Sequence, residues 1–143
     1  NPGRQDDCLA SKLVEKTQEW VGKNGIIYVD FDCNYQLNIE DAETISHYDI
    51  VIFADASTEP INDFYLSKVT PSDAKVEFSM HAVSPSYVLD LCNKIYHKKP
   101  KAYLLHIKGY EWEFMEAMTK KAENNLELAF DFLKYKILIL AED

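Results

Sequence analysis

The chain alternates between two hydrophobic periods, one near 3.6 residues and one near 2. Over residues 6–23, Leu9, Leu13, Val14, Trp20 and Val21 fall near helical spacing, and Lys23-Asn24-Gly25 is a stop signal. Residues 25–31 form a β-rich run, and residues 38–46 suit a short helix. The segment 48–54 is almost continuously apolar, as expected of a strand buried on both faces. Over 76–80, Val76, Phe78 and Met80 alternate with Glu77 and Ser79, a half-buried strand. Ser84-Pro85 then opens a helix to about residue 98, with the serine as N-cap and the proline in the first turn. Residues 101–107 read as another strand and 115–133 as a long final helix, while 134–140 fits either helix or strand. Strands alternating with helices predict an α/β domain with helices on both faces of a largely parallel sheet. Such a pattern ordinarily begins on a strand, so a first strand is expected upstream of Asn1.

Length and composition narrow the class. The 143 residues suit a single domain over 1–143, and 47% hydrophobic with 27% charged residues excludes a disordered or fibrous chain. No apolar stretch is long enough for a membrane span. With 15 basic against 24 acidic residues the net charge is −9, which disfavours nucleic acid and anionic membranes as partners. The dense basic stretch His97, Lys98, Lys99 and Lys101 reads as cations ending a helix. Cys8, Cys33 and Cys92 are odd in number and widely spaced, which argues against a disulfide framework and for a reducing cytoplasm.

Ligands in open α/β sheets bind at the carboxyl ends of the strands, so the polar residues at that rim are the candidates. Asp55 closes the apolar strand. Asp6 and Asp7 open the first helix, which a short connection forces antiparallel to 26–31, so they return to the rim. His81 precedes a helix that meets strand 101–107 across Lys99-Pro100, and it returns likewise. Two carboxylates and an imidazole from separate elements could hold a divalent metal. Each also has a plainer reading: Asp6 and Asp7 complement a helix N-terminus, Asp55 ends a strand, and His81 is a capping or satisfied core histidine. Asp30 and Asp32 read as solvated turn residues, His106 as a structural residue inside a strand, and Cys8 as a small buried thiol. Tyr110, Trp112 and Phe114 follow the strand on the rim side, and suit either a peptide groove or a lid on the core. No HExxH, GxSxG, P-loop or GxGxxG motif is present.

Three segments together resemble the hydrogenase maturation proteases, the endopeptidases that trim the large subunit of nickel–iron hydrogenases. Asn1-Pro2-Gly3-Arg4-Gln5-Asp6-Asp7 is similar to that family's Asn-x-x-x-x-Asp-Asp/Glu signature. Val51-Ile52-Phe53-Ala54-Asp55-Ala56 resembles its apolar strand ending in Asp-Ala. Ser79-Met80-His81-Ala82-Val83-Ser84-Pro85 resembles its Ser-x-His segment leading into a helix. The resemblance continues through the 100–107 strand and a final amphipathic helix.

It implies a three-layer α/β/α sandwich, phosphorylase/hydrolase-like, with a mixed, mostly parallel five-stranded sheet. It also implies Asp7, Asp55 and His81 as catalytic and metal-binding residues, nickel brought by the substrate, and a hydrogenase large-subunit precursor as partner. The protein is then expected to be a cytoplasmic monomer. Two departures stand out: Cys8 replaces the glycine expected after the acid pair, and residues 57–64 lack glycine. Both bear on substrate choice and leave the three ligands intact. The alternatives are a non-catalytic nickel- or precursor-binding module and a doubly wound domain binding a small molecule.

Overall fold

The computed structural model describes residues 5–33, 36–73, 83–113 and 116–140. A 3₁₀ turn at Asp6–Cys8 runs into helix α1, Leu9–Lys23, and a short helix α2 covers Asp41–Ile45. Strands β1 and β2 are Ile50–Ser57 and Phe64–Lys68. Helix α3, Pro85–Leu91, continues as a π-helical turn, Cys92–Tyr96, before β3 at Lys101–Lys108. The last helix, α4, spans Lys120–Leu140, so the ambiguous tail is helical. No described helix is long and apolar enough to cross a membrane.

The described strands form one three-stranded sheet in the order β1-β3-β2. Lys101 N–H donates to Asp49 O and Gly109 N–H to Ser57 O, so β1 and β3 start and end together and run parallel. Val69 N–H donates to Ala102 O and Lys108 N–H to Asp63 O, so β2 runs antiparallel to β3. The sheet is therefore mixed.

Contacts divide the chain into two compact units. The first comprises Asn1–Cys33, Ala54–Tyr65 and His106–Asp143. Its α1 buries Leu9, Leu13, Thr17 and Val21, a stripe four residues apart that packs on α4. Thr17 is tolerated there because its hydroxyl donates to Leu13 O at 2.7 Å. From α4 come Ala122, Leu126, Ala129 and Ile137. Lys16 bridges to Glu127 at 2.8 Å over the edge of this contact. The second unit comprises Asn34–Phe53 and Leu66–Leu105. Its core is Ala42, Ile45, Val69, Val83, Val88, Leu89, Cys92 and Ala102. As expected, α3 is capped by Ser84, whose Oγ accepts from Tyr87 N–H at 3.1 Å, with Pro85 in the first turn.

Two expectations need correction. Residues 26–31 do not form a strand: Ile26 N–H bonds back to Val21 O, and Ile27 is 93% exposed. The β-rich composition favours an extended chain, but a ladder also needs a neighbouring strand, and none of the described strands pairs with it. The segment is held instead by Tyr28, whose hydroxyl donates to Ile137 O of α4 at 2.9 Å. Conversely, residues 64–68, where the sequence pattern predicts no element, form strand β2, because β3 offers them a paired edge. The expected strand at 76–80 lies outside the described residues.

Candidate active site at the carboxyl end of the sheet

Asp6 and Asp7 share one turn and have opposite environments. Asp6 is completely buried. Its Oδ2 accepts from Tyr110 N–H at 2.7 Å, from Glu111 N–H at 3.0 Å and from the Thr119 hydroxyl at 2.9 Å. Its Oδ1 accepts from Thr119 N–H at 2.9 Å. Burial opposes the charge, and the four donors together outweigh it, so the carboxyl lies below the ordinary carboxylate range. Thr119 in turn caps α4, its Oγ1 accepting from Ala122 N–H at 3.2 Å. One carboxylate thus ties the opening turn, the loop after β3 and the start of α4. Gly109 makes room for it, since a Cβ there would meet Asp6 Cβ at 2.8 Å and the Trp112 ring at 2.6 Å.

Asp7 is half-buried on the same turn. Asp55 lies near the end of β1, inside the strand rather than just beyond it. It is exposed, and the protein around its carboxyl still desolvates it in part. That partial desolvation raises its pKa, Ala56 N–H opposes the rise, and the negative charge of Asp7 adds to it. Asp7 and Asp55 therefore act on each other electrostatically at one rim. His106 of β3 pulls the Asp55 pKa the other way. His81 lies outside the described residues. Among the described residues no three His, Cys, Asp or Glu side chains are grouped to hold a metal.

The other rim candidates fall into supporting roles. Tyr110 is partly exposed, with its hydroxyl accepting from Asn125 Nδ2 at 3.0 Å. The same amide donates to Lys108 O, which fastens α4 to the end of β3. Trp112 packs over Gly109, and Phe114 lies outside the described residues. Burial holds the Cys8 thiol above its usual range, and it donates to Gln5 O at 3.0 Å, so it is a poor nucleophile. A shallow cleft lined by Gln18, Val21, Gly22, Val29, Asp30 and Phe31 contains neither rim acid.

No strand forms at 26–31, yet Asp6 and Asp7 still stand at the rim. What brings Asp6 and Asp7 to the rim is backbone pairing of Gln5 and Asp6 with Glu113 and Glu111 beyond β3. Thr119 was missed altogether. Its signal was a threonine immediately ahead of a long helical run.

No protein-family model and no curated protein matches the chain. Three solved structures do. A [NiFe] hydrogenase maturation protease, HycI, from Thermococcus kodakarensis is 18% identical, with 96% of this chain and 86% of that one covered and a TM-score of 0.64. The hydrogenase maturating endopeptidase HybD from E. coli is 17% identical over 93% and 84%, with a TM-score of 0.68. The chain has the fold of hydrogenase maturation proteases. A hydrogenase 2 maturation peptidase from a Thaumarchaeota archaeon, 13% identical over 96% and 92% with a TM-score of 0.56, shares it too.

Proposed function

We propose that the chain is a processing endopeptidase that removes a short C-terminal peptide from the nickel-loaded large-subunit precursor of a nickel–iron hydrogenase. The observation that carries this reading is the placement of Asp7 and Asp55 at one end of a sheet whose fold is shared with three maturation proteases. Its finer features are a three-layer sandwich with five strands, a cytoplasmic monomer, and metal dependence through Asp7, Asp55 and His81.

The donor chemistry suits the proposed cargo. The negative charge of Asp7 adds to the rise in the Asp55 pKa, and two such carboxylates with the His81 imidazole make a donor set acceptable to nickel. In this reading Asp7, Asp55 and His81 engage the nickel held by the precursor and so seat the scissile bond. The nickel supplies charge stabilisation to the reacting carbonyl. An oxygen of the Asp55 carboxylate accepts a proton from water as the water oxygen adds to that carbonyl. The proton then passes to the departing amide nitrogen. Asp6 takes no part beyond holding the turn.

The test is a cleavage assay on nickel-loaded and nickel-free precursor, read by mass. The chain is expected to shorten only the loaded form, and Asp55→Asn and His81→Ala are expected to abolish the shortening. Binding without any change in mass would overturn the protease reading in favour of a non-catalytic module.

A further inference from the structure

The sheet register places a third polar side chain beside Asp55. The bond from Gly109 N–H to Ser57 O sets β1 against β3 so that residue 55 stands next to residue 106. The bond from Lys108 N–H to Asp63 O sets β2 against β3 so that residue 65 stands opposite residue 106. Asp55, His106 and Tyr65 therefore form one straight row across all three strands. Directly neighbouring residues project from the same face, with Cβ atoms about 4.5–5.5 Å apart. Alternation sends Leu105 and Ile107 to the opposite face, and both are fully buried. The row belongs to the more open face: Tyr65 and Asp55 are exposed and His106 is half-buried. The His106 and Tyr65 rings lie 5.8 Å apart, tilted by 32°. The tyrosine thus backs the imidazole from the side away from Asp55.

We propose that His106 is a positioning residue that holds the Asp55 carboxylate in one orientation, with Tyr65 limiting the imidazole's rotation. The inference rests on the proposed role of Asp55 in processing. Its physical content is that an oriented carboxylate keeps a chosen oxygen toward the substrate, and such supporting partners are commonly worth about 10–100-fold in affinity or activity. A strand interior is also where a fixed side-chain direction is easiest to maintain, because pleat and register together leave few rotamers.

The experiment compares wild type, His106→Ala, His106→Gln and Tyr65→Leu. Cleavage of nickel-loaded precursor is resolved into kcat and KM, and the side-chain ¹³C carboxyl signal of Asp55 is recorded at neutral pH without metal. His106→Ala is expected to lower kcat by about 10–100-fold with KM changed less than about twofold, and to move the Asp55 signal. His106→Gln, which keeps an N–H donor, is expected to restore part of both, and Tyr65→Leu to cause a smaller loss of the same kind. An unmoved Asp55 signal in a folded His106→Ala protein would overturn the proposal. If His106→Ala does not fold, His106→Phe, which keeps a ring but no donor, takes its place, and an Asp55 signal identical to wild type with unchanged kcat would overturn the proposal equally. A wild-type chain that cleaves no precursor refutes the processing reading alone, because the carboxyl signal still reports on His106 and Asp55.

Discussion

Asp6 is wholly buried, accepts four hydrogen bonds and is held below the ordinary carboxylate range. Asp55, at the same end of the sheet, meets solvent, sits near a second carboxylate and is pushed above that range. The contrast separates architecture from chemistry. A carboxylate surrounded by donors has its charge fully used and offers nothing to a ligand. A carboxylate short of positive charge is a place where a cation or a proton is welcome. Asp7, unlike Asp6, is only half-buried, and its charge adds to the rise in the Asp55 pKa.

Removing the buried acid is expected to have the largest effect. Asp6→Ala leaves three backbone N–H groups and one hydroxyl without their acceptor, so a loss of about 3 kcal/mol or more is expected in denaturant unfolding. Asp6→Asn keeps one acceptor and turns an amide against donors, and about half that loss is expected. A stability within about 0.5 kcal/mol of wild type in Asp6→Ala would show that the carboxylate is not the tie described here.

At the other pole, Asp55→Asn is expected to lower cleavage of loaded precursor by at least about 100-fold, the range for loss of a positioned acid–base group. Its unfolding midpoint is expected to stay level or rise slightly, because a charge that repels Asp7 has gone. A variant that loses stability in step with activity would place Asp55 with Asp6 and erase the contrast.

The reason this contrast escapes a linear reading is that Asp6 and Asp7 are identical and adjacent. Which one turns inward is decided by Tyr110 and Thr119, 104 and 113 residues further on. What could be read were the features written locally. The Ser84-Pro85 cap, the apolar run ending near Asp55 and the strand from Lys101 all stand where their residues put them. What could not be read was pairing. Residues 26–31 and 64–68 are both short and apolar, yet only the second lies beside β3 and becomes a strand. His106 was legible as a strand residue, but its row with Asp55 and Tyr65 follows from register, which no single segment carries.

A smaller effect is expected at Gly109, which separates the buried acid from the aromatic layer above it. In Gly109→Ala the new methyl group meets Asp6 Cβ at 2.8 Å and the Trp112 ring at 2.6 Å. The ring can swing away, whereas Asp6 is fixed by its four donors. A loss of about 1–2 kcal/mol in thermal or denaturant unfolding is expected. It is expected to shrink in a Gly109→Ala/Trp112→Ala double variant, since the two then no longer compete for the same space. Undiminished loss in the double variant would assign the whole clash to the Asp6 side.

The smallest effect separates the two carboxylates by sign alone. Because the Asp6 pKa is lowered by folding, its ionised form contributes stability above its unfolded value of 3.8, and this is lost as the pH falls below that value toward the folded one. Because the Asp55 pKa is raised, the folded protein takes up its proton first, and stability is gained as the pH falls through the folded pKa toward 3.8. Asp6→Asn is therefore expected to flatten the acid limb below about pH 4 of a stability-versus-pH curve. Asp55→Asn is expected to remove a gentle gain just above it. The two difference curves against wild type, measured by urea unfolding at each pH, should slope in opposite directions. Parallel slopes would mean that the two acids feel the same field, and the division between structural and reactive carboxylates at this rim would fail.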